Sequence, residues 1–500
     1  MTKTYKLRVH VEIVESAEVA QDDPVEVEPG HFEVILDEKQ ALNIDECEQA
    51  LLRINYPALR TALSAHLTTR SLEKARARAA PESSFKSTCY RVDGEVGRFT
   101  FETHQVVQLD GEIFDTRSFF PHLTGQEWYR TAGFKELGLL HGTIQNSFRQ
   151  SATGLNRWRH QLDAGTPWRT LSHASEQEGS QLLAHLEDHA TAVLLEHEFT
   201  GTLPPATVQD HYQQQEFVAI PAEQVQAAIT QCAPDPSYIA DMAQNPIPYE
   251  VAARSVQVSI DPVGVKHQKV AHDHVPKAKT RDMVYQTVAH IQHAQHAYHL
   301  NGAGIAGVLR LVLAFLLQNT LLKNNLIFFI DGERSLSKTI QTIFAWFGPL
   351  QLILDWPHLQ GKCRTQLSMA LTGREIRNRV LAQLSPLLWA GCVDRAIQLL
   401  RDLDPDCIKD ARHLDKLIGY FERQRPYIPC YAVRKELGLR NSSNRGEKAN
   451  DLLVSQRQKH NGMSWSASGS LALAALTTLV HNNEYTQWFR SRSIRFAFAA

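Results

Sequence analysis

The most constraining stretch is Leu326-Ile327-Phe328-Phe329-Ile330-Asp331-Gly332, a run of large apolar residues closed by an acid and a glycine. Such a run is too short for a buried helix and suits a central strand covered on both faces. In an open α/β sheet the carboxyl ends of central strands open into the crevice where ligands bind. A carboxylate there is costly unless a partner or a cation compensates it. An Asp in this setting either caps the next helix or serves chemistry, and the flanking pattern bears on the choice. Upstream, Val256, Val258 and Ile260 alternate into Asp261, and a turn-rich hairpin leads to further strand over 283–300. Residues 303–322 spell an apolar helix. Downstream, 335–347 form an amphipathic helix with Ile340, Ile343, Phe344 and Phe347 inward, stopped by Gly348-Pro349. Residues 350–354 make another short apolar strand that also ends on an acid, Asp355. The expected order is β-β-β-α-β-α-β, antiparallel at first and joined by helical crossovers later.

The rest of the chain divides by texture. Residues 1–120 read as an α+β region, with strand-like alternation on either side of a helix over 43–80 that closes on Lys74, Arg76 and Arg78. Residues 121–231 read as helical, with capping-box patterns at Thr124–Glu127 and Ser175–Glu178. Two short helices around Leu140-His141-Gly142-Thr143 form a helix-turn-helix candidate, the second carrying Arg149, Arg157 and Arg159 as DNA contacts. The alternative is a helical bundle with a solvated basic face. Residues 232–250, holding Pro234, Pro236, Pro246 and Pro248, read as a linker. A core over 251–364, a helical insertion over 365–435 and a closing segment over 436–500 complete the division.

Composition excludes some classes. Net charge is −2, so a nucleic-acid role must rest on local patches. The longest apolar stretch, 307–322, is broken by Arg310, Gln318 and Asn319, so no membrane span is expected. The amino terminus lacks a signal-peptide core. The seven cysteines form no Cys-x-x-Cys pair, as expected for reduced thiols in a cytoplasmic protein without a zinc knuckle. The histidines at 267, 272, 274, 290, 293, 296 and 299 follow neither one strand face nor one helix face, and no metal site is expected from them. Trp389 is either core or a base-stacking residue.

An acid on the first strand and another ending the fourth resembles the layout of ribonuclease-H-like nucleases, in which a later helix supplies a third acid. Here these are Asp261, Asp331 and Glu447. Clustered carboxylates repel, and two divalent ions ~3.5–4 Å apart can relieve this while serving phosphoryl displacement. Oxygen ligands without cysteine favour Mg²⁺ or Mn²⁺.

The carboxyl-terminal part resembles something narrower. Residues 437–447 end in Asn441-Ser442-Ser443-Asn444-Arg445-Gly446-Glu447, followed by Arg457, Lys459 and Gly462-Met463-Ser464-Trp465-Ser466. This is similar to the third-acid motif of bacterial insertion-sequence transposases of the Mutator-like DDE type. Residues 331–336 are similar to their second-acid motif, and Asp355-Trp356-Pro357-His358 resembles the element that follows it. The resemblance covers roughly residues 255–490. It implies a ribonuclease-H-like catalytic core (β-β-β-α-β-α-β-α) interrupted by an all-helical insertion, with catalytic and metal-binding Asp261, Asp331 and Glu447. Asp273 stands as the alternative first acid, and Asp451 competes with Glu447. Asp355 and His358 either support the metal site and contact phosphate, with Arg457 and Lys459, or Asp355 ligates directly in place of Asp261. Between residues 434 and 459, seven basic residues outnumber three acids, which suits a polyanionic substrate; Arg440, Arg445 and Lys448 are the DNA-contact candidates there.

The implied function is metal-dependent strand cleavage and transfer of an insertion sequence, with two Mg²⁺ or Mn²⁺ ions per site. Its partners would be terminal inverted repeats and target DNA, bound as a homo-oligomer in the bacterial cytoplasm at the nucleoid. Other readings are an inactive DNA-binding descendant of such an enzyme, or a nuclease of the same fold that only hydrolyses.

Overall fold

The computed structural model describes residues 4–11, 30–37, 44–120, 123, 128–161, 165–268, 282–460 and 462–499. Contacts divide the chain into two units: residues up to Gln177 together with Tyr485–Ile494, and Glu178–Glu484 together with residues from Arg495 on.

In the first unit β1 (Thr4–Val11) pairs antiparallel with β2 (Gly30–Asp37), and α1 (Ile44–Arg78) follows. Strands β3 (Ser84–Gly94), β4 (Gly97–Val107), β5 (Ile113–Asp115) and β6 (Trp128–Arg130) form a sheet in the order β5-β4-β3-β6. Alternation along β3 and β4 sends Tyr90, Val92 and Phe101 into a core with Leu123. Helices α2 (Ala132–Ile144) and α3 (Phe148–Trp158) are separated by three residues, and Ser147 caps α3 by accepting from the Gln150 amide at 3.2 Å. The break therefore falls after, not at, residues 140–143, which lie within α2. Helix α4 (Trp168–Glu196) runs unbroken through Ser175, which is buried inside it and caps nothing. The other capping pattern, at Thr124–Glu127, lies outside the described residues.

The second unit takes α4 from Glu178 on and continues with α5 (Ala206–Gln214), α6 (Ala222–Cys232) and α7 (Ile239–Ala243). Its sheet is built from β7 (Ser255–Lys266), β8 (Met283–His293), β9 (His296–Gly302), β10 (Asn325–Ile330) and β11 (Leu350–Leu354), in the order β11-β10-β7-β8-β9. Neighbours β7, β8 and β9 are antiparallel, whereas β10 and β11 run parallel to β7. Helix α8 (Ile305–Gln318) precedes β10, and α9 (Arg334–Ile343) crosses from β10 to β11. Every residue of β10 is buried. Ile327 and Phe329 pack with Ile353 on one face, while Phe328 meets Phe344 at 5.5 Å on the other. This two-sided cover is why the strand reads as a continuous apolar run.

A helical segment follows: α10 (Trp356–Ala370), α11 (Arg374–Trp389), α12 (Val393–Arg401), α13 (Ala411–Gln424) and α14 (Tyr431–Glu436). Then come α15 (Asn444–Asn450), a π-helical turn (Asp451–Ser455), α16 (Gln456–Gln458), α17 (Ala467–His481) and, in the first unit, α18 (Tyr485–Ser491). The 232–250 stretch is not a linker. Met242, Ile247 and Tyr249 are buried. Met242 and Tyr249 share a core with Ala390, Cys430 and Val433 of the helical segment. Proline there shapes tight turns within a packed region rather than spacing two domains. Trp389 also belongs to packing, 4.9 Å from Trp356 and 5.8 Å from Tyr431 between ring centroids. No helix among the described residues is long and apolar enough to cross a membrane.

Candidate active site

Strand register aligns the acids. Phe329 lies opposite Ser259 in the parallel β7–β10 pair, so Asp331 stands level with Asp261 two residues further on. Ile330 lies opposite Leu354, which carries Asp355 to the same level on the far side. Adjacent strands are ~4.8 Å apart, so three carboxylates cross the sheet in one short row. The Asp355 amide donates to the Ile330 carbonyl at 2.8 Å, extending the ladder to the acid itself.

Glu447 comes from α15, and two local features press it against this row. Gly446 permits close approach to β7, because a Cβ there would lie 2.5 Å from the Ser259 Cβ. Ser443, just before the helix, donates its amide at 2.8 Å and its hydroxyl to Asp355 Oδ2. The preceding turn is held by Arg434, fully buried, which pairs bidentately with Glu250 at 2.6 and 2.7 Å and donates to the Arg440 carbonyl. Three residues beyond Glu447, on the same helical face, Asn450 donates its amide to Asp261 Oδ2.

The electrostatics record the crowding. Burial first, then the charges of Asp331 and Glu447, push the Asp261 carboxyl up from 3.8 to about 6, against opposing pulls from His358 and Lys459. His358 is pushed the other way, from 6.5 up to about 8. Its Nδ1 contact with Asp355 Oδ2, at 3.5 Å, contributes most, and Asp331 and Glu447 (3.9 Å from Nδ1) add to it. At neutral pH the imidazole is thus largely a cation set among carboxylates. Asp355 is fully buried, and its Oδ1 has no hydrogen-bond partner. One ligand atom each from Asp355, His358 and Glu447 lies within 4.8 Å of the others.

A cleft of about 630 Å³ opens over these groups, lined by Asp331, His358 and Glu447 together with Lys362 and Tyr420. Gly332, at φ +85°, lets Tyr420 come close, since a Cβ there would lie 2.3 Å from the tyrosine oxygen. Asp331 itself accepts from the Glu333 amide at 2.7 Å, closing the turn that starts α9.

The other expected residues separate into two groups. Lys459, Arg445 and Lys448 are exposed. Arg440 is half-buried and donates to Gln292 at 2.7 Å. In the first unit Arg149 and Arg157 are exposed, with Arg149 over Trp168 at 5.5 Å. Two assignments are overturned by burial. Arg159 is fully enclosed under Phe134, 5.3 Å from its ring, and does not reach DNA. Arg457 lies buried over the Trp465 ring at 5.3 Å, and burial lowers its guanidinium to about 10. It therefore braces the 462–466 segment rather than contacting phosphate. Trp465 docks that segment beside β7, its amide donating to the Lys266 carbonyl at 2.9 Å. Asp451 pairs locally, with Lys448 at 3.4 Å and Gln456 at 3.0 Å, and leaves the helical position to Glu447. Asp273, His272 and His274 lie outside the described residues. His290, buried, and His299, half-buried, pair at 3.4 Å, and desolvation lowers both well below 6.5.

Asn450, Ser443, Tyr420 and Lys362 were not anticipated. Ser443 and Asn450 carried a signal, the first within the polar turn before Glu447 and the second as a polar residue one turn after it. No protein-family model matches this chain, and no curated protein does.

Proposed function

We propose that this protein is a DNA transposase of the Mutator-like DDE type, built on a ribonuclease-H-like core, that cuts and joins phosphodiester strands with divalent metal. The observation that carries the reading is the alignment of Asp261, Asp331 and Asp355 by strand register, with Glu447 brought onto them by α15. The strand order β11-β10-β7-β8-β9, in which β8 alone runs against the other four, supports the same fold assignment.

The residues suit a hard divalent cation. The donors are carboxylate oxygens, their mutual repulsion is written into the raised Asp261, and Asp355 keeps a buried oxygen without a partner. Asp261, Asp331 and Glu447 would hold Mg²⁺ or Mn²⁺, which lowers the cost of a hydroxide nucleophile and of charge on the leaving oxygen. The chain's own side chains supply the rest. Asn450 fixes the Asp261 oxygen, Ser443 fixes Asp355, and Asp355 keeps His358 protonated to attract a phosphate. Arg445 and Lys448, exposed on the helix that bears Glu447, would hold the DNA backbone. Arg149 and Arg157 would do so at the element's ends, bound by a homo-oligomer.

The test uses duplexes carrying the DNA that flanks the reading frame. Wild-type protein should nick them with Mg²⁺ and join the exposed 3′-hydroxyl to target DNA. Asp331→Asn and Glu447→Gln should bind the same duplexes without cutting. Wild-type-like cutting by either variant refutes the assignment. Binding without any nicking by the wild type favours an inactive DNA-binding descendant, and nicking without joining favours a hydrolytic nuclease. A second reading, with a cation on Asp355, His358 and Glu447, is favoured by their ligand atoms lying within 4.8 Å. Mn²⁺ titration separates the two: that site fails in Asp355→Asn and survives in Asp261→Asn.

A further inference from the structure

A second cleft, of about 700 Å³, lies between α9, α10 and α13. Five cationic side chains line it: Arg334 and Lys338 from α9, Lys362 from α10, Lys416 and Arg423 from α13. No carboxylate lines it, and none of the five forms an ion pair among the described residues. All five are exposed. The cleft adjoins the acids, since Gly332, Lys362 and Tyr420 line both cavities. Its inner wall is fixed by Gln424, donating to the Gly332 carbonyl at 3.2 Å, and its rim by Gln341, donating to the Tyr427 hydroxyl at 3.0 Å.

Uncompensated like charges facing one concavity repel one another, and a polyanion threaded between them relieves that repulsion. The size is that of a pocket for a small molecule, enough for a few nucleotides of one strand and too narrow for a duplex. Tyr427, half-buried at the rim, adds an aromatic surface of the kind on which unpaired bases stack. Resting on the function proposed above, we propose that this cleft binds the single-stranded phosphodiester chain leading away from the phosphate that reacts beside Asp331, His358 and Glu447. The helical segment between β11 and α15 thereby supplies a strand-guiding wall, through Lys416 and Arg423, as well as structural bulk.

The test measures binding of a short fluorescein-labelled single-stranded oligonucleotide to the full chain across a range of salt. Each phosphate contact on a single strand contributes about 0.7 to the slope of log affinity against log salt. The variant Lys338→Ala/Lys416→Ala/Arg423→Ala should therefore show a slope shallower by about 2, and Lys338→Arg/Lys416→Arg should keep the wild-type slope. An unchanged slope in the triple variant overturns the proposal, as does an equal loss on a blunt duplex of the same sequence. If the triple variant unfolds by circular dichroism, the single changes Lys338→Ala and Lys416→Ala give the same reading at about 0.7 each. The outcome stands apart from the catalytic reading. A slope change in a protein that never nicks DNA keeps the cleft and removes the transposase. Nicking with no slope change does the reverse.

Discussion

Asp261→Asn should make the protein more stable while disabling it. Asp261 titrates at about 6 in the fold against 3.8 for an unperturbed carboxyl, a displacement of roughly 3 kcal/mol at 1.36 kcal/mol per pH unit. The side chain is only half-buried, so screening by solvent reduces the effect to about 1–2 kcal/mol. A raised carboxyl pKa means that the folded state holds its proton more tightly than the unfolded chain. The penalty is therefore absent below pH 3.8, grows between there and about 6, and is complete above. Asparagine carries no charge to repel Asp331 and Glu447, and it can still accept from Asn450. Denaturant unfolding with chelator present should show the variant more stable by about 1–2 kcal/mol at pH 7.5, with the gap closing toward pH 4. Magnesium should stabilise the wild type more than the variant, because a bound cation offsets repulsion that the variant has lost. A variant equal to or weaker than wild type at pH 7.5, or a gap that does not depend on pH, would refute the electrostatic reasoning.

Three further outcomes follow from the geometry. Gly332→Ala should cost about 1–3 kcal/mol in urea unfolding, through its positive φ and its clash with Tyr420, and Tyr420→Phe should restore part of the loss. Glu250→Gln should destabilise by about 3–5 kcal/mol, because it strands the buried Arg434 guanidinium; a loss below 1 kcal/mol would show that the pair is not sealed from water. His358→Gln should remove a stabilisation that is complete below pH 6.5 and fades as pH rises through about 8, so wild type and variant should converge in thermal melts at pH 9.

What the sequence disclosed depended on whether the relevant partner was local. The run at 326–330 is apolar because β10 is covered on both faces, and strand parity alone then brings Asp331 level with Asp261 and Asp355. The 232–250 stretch resembles a linker in sequence because its prolines are local, whereas its packing partners, near 390 and 430, are about 150–200 residues away. Arg159 and Arg457 sit in basic stretches that look solvated, and only the tertiary fold buries them under Phe134 and Trp465. The basic cleft was invisible for the same reason: α13 starts 68 residues after α9 ends (411 − 343), and no wall is unusual by itself.

Glu447 follows Asp331 by 116 residues (447 − 331), with the whole helical segment in between. At a synthesis rate of roughly 5–20 residues per second, the last carboxylate leaves the ribosome about 6–23 seconds after the second. During that interval the nascent chain holds Asp261 and Asp331 but not Glu447, so the cluster of acids is completed only after the helical segment has emerged.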